Sequence, residues 1–228
     1  MTARCSNHVV QAVRLDPRPG AAIYTKRLLN VYDPLVLGFS NTYLWRCPTT
    51  HLLEWFSRHM SDRHLDVGVG TGYFLDRCRF PSPTPLVALL DYNSEALRFT
   101  EQRIARYHPI SYVGSVLEPV TIPLAPFRSV SLNYVLHCLP GDMTIKARVF
   151  EHLRPLVGDE GVLFGSTILG APPPQSGLAS AVMGLYNRRG IFANRGDTIA
   201  GLEVALAGSF RKVEVSMRGS VALFAARP

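Results

Sequence analysis

Nine residues constrain this chain more than any others: Leu65-Asp66-Val67-Gly68-Val69-Gly70-Thr71-Gly72-Tyr73. A short apolar run followed by glycines at alternate positions reads as a strand that turns at once into a loop. Glycine there lets the backbone turn tightly and approach a ligand, and the next helix offers free amide groups at its start. The rest of the chain repeats the theme. His64 to Gly68 is a first strand, Leu86 to Leu90 closing on Asp91 a second, Ile110 to Val113 a third, Ser129 to Tyr134 a fourth and Gly161 to Leu169 a fifth. Between them fall amphipathic helices. One is capped by Thr49 or Thr50, with Leu52, Leu53, Phe56 and Met60 aligned. One is capped by Asn93 or Ser94, with Leu97, Thr100, Ile104 and Tyr107 inward. One starts at Asp142 with Ile145, Val149 and Leu153 on one face, and a last begins at Asp197. Continuous apolar strands separated by such helices argue for a parallel sheet covered on both faces. The tail departs from this, because Arg218-Gly219-Ser220 is too short to join Lys212–Met217 to Val221–Ala225 as anything but an antiparallel hairpin. The expected fold is α/β: a Rossmann-like doubly wound sheet of about seven strands, mostly parallel, with an antiparallel C-terminal hairpin strand.

A dinucleotide fold wants its third glycine at position 73, where this chain has Tyr73. An acid followed by Gly-x-Gly-x-Gly resembles instead the first motif of the class I S-adenosylmethionine-dependent methyltransferases of small molecules. Asp91 at the end of the second strand, the fourth-strand segment Ser129 to Pro140 and the closing hairpin stand in the same order as in that family, over roughly residues 20–228. The resemblance implies S-adenosylmethionine as cofactor. Asp66 would hold the amino end of its methionine moiety through water, and Gly68, Gly70 and Gly72 would let the backbone pass beneath it. Asp91 would accept both ribose hydroxyls and Tyr92 would lie against the adenine. Ser115 and Val116 stand where the family has an acid and an apolar residue around the adenine; Ser115 is neutral and can accept one hydrogen bond. Asn133 and Tyr134 would offer backbone carbonyls to the ammonium group, and Tyr24 and Tyr32, in an aromatic N-terminal stretch, would touch the cofactor from above.

The resemblance also frames the acceptor. Methyl transfer is a displacement at a sulfonium carbon, so the protein aligns the partners and, where needed, removes a proton. No carboxylate cluster suits a divalent ion, so no metal is expected. The segment Asn133-Tyr-Val-Leu-His-Cys138 lacks the paired prolines of base-amine methyltransferases. His137, at the loop rim, is the candidate general base and a candidate substrate contact; a hydrogen-bonded wall residue is the alternative. Tyr186, Arg188, Arg189 and Phe192, in the long connection 171–196, are the other candidate substrate contacts.

The whole chain reads as one domain, 1–228: cap helices 1–48, cofactor-binding core 49–170, substrate-side insertion 171–196, closing helix and hairpin 197–228. Its composition, 47% hydrophobic and 18% charged, excludes a disordered chain. No apolar run reaches membrane-spanning length and no signal-peptide pattern is evident, and Cys5, Cys47, Cys78 and Cys138 lack paired or metal-ligand spacing, so a cytoplasmic location with reduced thiols is expected. The net charge of +7 is uneven. Residues 1–64 carry 8 basic and 4 acidic side chains, residues 65–170 carry 9 and 10, and residues 171–228 carry 7 and 3. The surplus therefore avoids the cofactor core and gathers where the acceptor should sit, near Arg188, Arg189 and Arg195. The resemblance implies a small-molecule substrate, a biosynthetic metabolite, with no membrane or nucleic-acid partner expected and monomer and homodimer both open. RNA or protein methylation through the basic ends, and a nicotinamide-dependent reductase or non-catalytic nucleotide-binding module, remain as alternatives.

Overall fold

The computed structural model describes residues 33–172 and 176–228, and within them the expected architecture is present. Seven strands form one sheet: β1 (Arg63–Val67), β2 (Leu86–Asp91), β3 (Ile110–Val113), β4 (Phe127–Asn133), β5 (Val157–Ile168), β6 (Lys212–Arg218) and β7 (Val221–Arg227). Their spatial order is β3-β2-β1-β4-β5-β7-β6. The first five run parallel, while β7 pairs antiparallel with both β5 and β6. The order reverses between β1 and β4, where crossovers leave toward opposite sides and a ligand crevice opens at the strand ends.

Helices α1 (Thr49–His59), α2 (Tyr73–Arg77), α3 (Ser94–Arg103), α4 (Met143–Leu153), α5 (Gly177–Arg188) and α6 (Ile199–Ala207) flank the sheet, with a π-wound segment, Asp33–Leu44, ahead of them. One core layer joins Val149, Phe150, Leu202 and Leu206 to Val130 and Leu132; the other joins Phe56, Leu97 and Met183 to Leu89 and Phe164. Burial of each such side chain contributes about 1.5–3 kcal/mol. Both faces being covered explains why β2 is apolar without alternation, whereas β1 and β4 alternate apolar residues with the buried polar His64, Asp66, Ser129 and Ser131.

Several local expectations change. Asn93 and Asp142 cap α3 and α4 through their side chains as expected, the first accepting from Glu95 N and the second from Ile145 N. Neither Thr49 nor Thr50 caps α1; Pro48 occupies that position, and the Thr49 hydroxyl donates instead to Leu37 O. Thr198 caps α6, accepting from Gly201 N, because Asp197 is drawn into the interior. There it meets Lys146, which shares the buried face of α4 with Met143, Val149, Phe150 and Leu153. The two charges are fully enclosed with Lys146 Nζ 2.6 Å from Asp197 Oδ2. Lys146 also donates to Ala193 O at 2.8 Å, and Ala171 N donates to Asp197 O at 3.1 Å, so the pair ties both ends of the 171–196 connection to α4. No helix among the described residues is long and apolar enough to cross a membrane.

Candidate active site

The site begins with the turn out of β1. Gly68, Gly70 and Gly72 all have positive φ, at 72°, 53° and 69°. Two of these positions also lack room: a Cβ on Gly68 would lie 2.2 Å from Val135 Cγ2, and one on Gly72 would lie 2.7 Å from Thr100 Cγ2. The loop is pinned by Gly68 N donating to Leu90 O at 2.8 Å and by Thr100 Oγ1 donating to Gly70 O at 3.3 Å. A cavity opens above it. Its lining brings together Asp66, Gly68, Gly70, Gly72, Asp91, Tyr92, Ser115, Val116, Asn133 and Tyr134, every described residue that the sequence assigns to the cofactor. Tyr24 and Tyr32 lie outside the described residues.

Asp91 ends β2 with its carboxylate turned over the glycine loop. It accepts from Asn93 N at 2.8 Å and from the amides of Val69, Gly70 and Tyr92. Burial pushes its carboxyl up to about 6 despite those donors. Asp66, 7% exposed, accepts from the Ser131 hydroxyl. Burial pushes Asp66 up to about 7; the Ser131 bond opposes this and the nearby Asp91 charge adds to it. Two carboxylates near each other, with no cation paired to Asp66 among the described residues, are costly alone, and they suit a ligand that brings hydroxyls and positive charge. Asn133 strengthens that inference. Its Oδ1 accepts from Ser166 Oγ at 3.0 Å, while its buried Nδ2 has no partner. A donor left in this state beside a cavity fits a polar ligand group. Ser115 accepts from Leu117 N at 3.3 Å.

The acceptor side departs further from expectation. His137 is not at the rim and is absent from the cavity lining: it is 3% exposed, packed edge-on against Phe192 with centroids 4.6 Å apart, and its Nδ1 accepts from Ile168 N at 3.3 Å. Burial, with a smaller contribution from the Lys146 charge, pushes it down to about 3. Phe192 is buried beside His137, Tyr186 and Trp45 rather than facing the cavity, Tyr186 is half-buried, and Arg188, Arg189 and Arg195 are exposed. The reason is local. The stretch Gly177–Arg188 of the connection that the sequence leaves open folds as α5, whose buried Met183 and Ala179 bind it to the core, so its polar end turns to solvent.

The cavity is completed by residues whose pattern in sequence gives no signal: Leu37 from the π-wound segment, Gly114, Val135, Cys138 and Leu139. Burial pushes the Cys138 thiol up to about 12, so it stays protonated. Tyr134, at φ 57°, donates its hydroxyl to Asn41 Oδ1 at 3.0 Å, and Asn41 Nδ2 donates to Thr49 Oγ1 at 2.9 Å. That chain fastens the π-wound segment to the cavity wall. Among the described residues no group of three or more His, Cys, Asp or Glu side chains is placed to hold a metal ion.

Comparison with known proteins agrees with this geometry. No family model matches the chain. It is 33% identical over 225 residues to demethylluteothin O-methyltransferase of Streptomyces thioluteus, covering 99% of this chain and 96% of that protein. It is 37% identical over 209 residues to the physcion biosynthesis cluster O-methyltransferase of Aspergillus chevalieri, covering 91% and 94%. Among solved structures, the DhpI complex with S-adenosylhomocysteine superposes with a TM-score of 0.67 at 14% identity, covering 93% and 96%.

Proposed function

The chain belongs to the class I S-adenosylmethionine-dependent methyltransferases of small molecules, and from that premise we propose that it methylates a hydroxyl oxygen of an apolar, ring-bearing biosynthetic metabolite. The observation that carries the reading is the single cavity in which the glycine loop, Asp66, Asp91 and the unsatisfied Asn133 amide meet. Both relatives are named O-methyltransferases, which supports oxygen over nitrogen or carbon and does not favour the RNA, protein or nicotinamide alternatives.

In this reading the cofactor supplies an activated methyl group on sulfur, and the chain's own residues bind and orient it. Asp91 accepts the ribose hydroxyls, exchanging part of its hold on the loop amides for two charge-assisted bonds. Asp66 faces the amino end through water, with the Asn133 and Tyr134 carbonyls beside it, and Tyr92 covers the adenine next to Ser115 and Val116. The apolar remainder, Leu37, Val135, Cys138 and Leu139, excludes water and positions the acceptor ring.

Proton removal works differently from the sequence expectation. An imidazole held down to about 3 is too weak a base for a phenol near neutral pH, so His137 serves as a wall residue and not as the base. Apart from the two carboxylates assigned to the cofactor, no group of matching strength lines the cavity among the described residues. The acceptor's own ionisation therefore sets the rate, and alignment supplies the catalysis. The test is methyl transfer from labelled S-adenosylmethionine to matched phenols, carboxylic acids and amines, alongside calorimetric titration with S-adenosylhomocysteine and NADH. Labelled phenols, with rates that follow phenol acidity, are expected; labelling confined to amines would remove the oxygen assignment.

A further inference from the structure

A thread of polar side chains runs along one face of the sheet, between Val87 and Leu89 on β2 and Val162 and Phe164 on β5. The parallel register sets His64 beside Ser129 and Asp66 beside Ser131, and the two-residue spacing on both strands puts all four on the same face. His64, Ser129 and Ser131 are each 0% exposed. Around them stand aromatic rings, with Phe56 edge-on to His64 at 5.7 Å and Phe164 at 6.1 Å. Polar groups in such surroundings are costly unless each is hydrogen-bonded, and these are joined end to end. Ser61 N donates to Ser129 Oγ at 3.1 Å, Ser129 Oγ lies 2.8 Å from His64 Nδ1, His64 Nε2 lies 3.1 Å from Ser131 Oγ, and Ser131 Oγ donates to Asp66 Oδ1.

Proton counting gives the thread a direction. The hydroxyl of Ser131 has one proton and spends it on Asp66, so it must accept from Nε2–H of His64. The neutral ring then has a bare Nδ1, which accepts from Ser129. Ser129, its own proton used, accepts from the Ser61 amide and stands 2.7 Å from the Ser61 hydroxyl. With Asp66 ionised, every donor from Ser129 onward therefore points toward the carboxylate and each bond polarises the next, while the Ser61 hydroxyl is shared with Arg63 O at 3.0 Å.

We propose that His64 is a positioning residue for the cofactor-binding carboxylate: through Ser131, and fed by Ser129 and Ser61, it holds Asp66 in the orientation and ionised form that a positively charged adenosyl ligand requires. The proposal deepens the cofactor reading above and rests on it. The geometry explains why an imidazole that titrates far from neutrality is present at all. Burial pushes His64 down to about 3, so it never competes with Asp66 for a proton and acts as a fixed dipole. The other ionisable groups that act on Asp66 are Asp91, whose charge raises it, and the Cys78 thiol, which burial, aided by the Asp66 charge, pushes up to about 12 and so keeps neutral.

The experiment is calorimetric titration of the full chain with S-adenosylhomocysteine from about pH 5.5 to about 8.5, the window around a carboxyl raised into the neutral range. Affinity should rise with pH as Asp66 ionises. Ser131→Ala should weaken binding about tenfold and move the midpoint of that rise to higher pH, since the bond that favours the ionised form is gone. His64→Phe should act in the same direction by about three- to tenfold. His64→Gln, whose amide can donate in place of Nε2–H, should restore both affinity and midpoint. Folded His64→Phe and Ser131→Ala variants with wild-type affinity and an unmoved midpoint would overturn the proposal; if His64→Phe does not fold, Ser131→Ala decides alone. Nitrogen chemical shifts of the His64 ring give a separate check, since a proton found on Nδ1 reverses the thread and removes the proposal. A wild-type chain that binds no adenosyl ligand at any pH would instead sink the cofactor reading, and this inference with it.

Discussion

Asp66 and Asp197 are both buried carboxylates, and the fold answers them in opposite ways. Asp197 has a cation in contact, Lys146 Nζ at 2.6 Å, and the pair fastens the ends of the acceptor-side connection to α4. Asp66 has the Ser131 hydroxyl and, within reach of its field, a second acid in Asp91. A buried acid with its own counter-charge in contact, as Asp197 has although its Oδ1 finds no hydrogen-bond partner among the described residues, is held away from the cavity. A buried acid held only by a hydroxyl keeps its charge costly until something positive arrives, and Asp66 lines the cavity where that can happen. The difference separates a clamp from a binding site without reference to any relative.

The sharpest way to break this comparison is to remove the cation. Lys146→Ala should destabilise the fold by about 3–5 kcal/mol in urea unfolding, because an uncompensated charge stays buried. A loss below about 1 kcal/mol would show that Asp197 simply takes up a proton. Next in size is the effect at the cavity. Asp91→Ala should reduce S-adenosylhomocysteine affinity about 10- to 100-fold, equivalent to ~1.5–3 kcal/mol for charge-assisted bonds, with the folded state intact by circular dichroism. Wild-type affinity in that variant would refute its role.

The third effect is in pH and sharpens the contrast. Asp66 and Asp91 have folded-state pKa values of about 7 and about 6, raised above their unfolded values near 3.8. In that window these two acids bind more protons in the native state, so their contribution to ligand-free stability falls as pH rises from about 4 to about 7, while buried His64 and His137, held down to about 3, contribute in the opposite direction. Bound S-adenosylhomocysteine should offset the loss at the acids, so the Tm increase it gives in thermal melts should grow across the window; a ligand-induced Tm increase that shrinks over the same range would contradict it. The smallest effect belongs to the exposed arginines. Arg188→Ala with Arg189→Ala should change stability by under about 0.5 kcal/mol and leave cofactor affinity alone. A shift confined to acceptor KM would place that end of α5 beside the acceptor.

Much of the cofactor half was legible because its signals are local. The Asp66 to Gly72 motif dictates a strand, a turn with positive φ and a helix start within one stretch of chain. Asp91 follows from the end of the next apolar run. The parallel strands and the closing hairpin follow from the helices between strands and from a three-residue link, while the spatial strand order is a property of the fold. The acceptor half was not legible in this way. His137, read as a rim residue, is enclosed because Phe192 and Ile168 come from distant points of the chain, the first packing edge-on against its ring and the second donating its amide to Nδ1. Asp197, read as a helix start, is claimed by Lys146, which lies 51 residues away. Leu37 and Leu139 enter the cavity without any motif.

By itself, then, the amino-acid order determined the doubly wound sheet, the glycine loop and the two acids beside it, since each depends on neighbours within a few residues. The tertiary structure alone decided which titratable side chains are enclosed: it paired Asp197 with Lys146, buried His137 away from the cavity lining, and threaded His64 between two serines toward Asp66. The physical reason is desolvation. Loss of water, more than the identity of the side chain, sets the protonation state of an acid or imidazole, and water is excluded only when segments far apart in the chain close over the group.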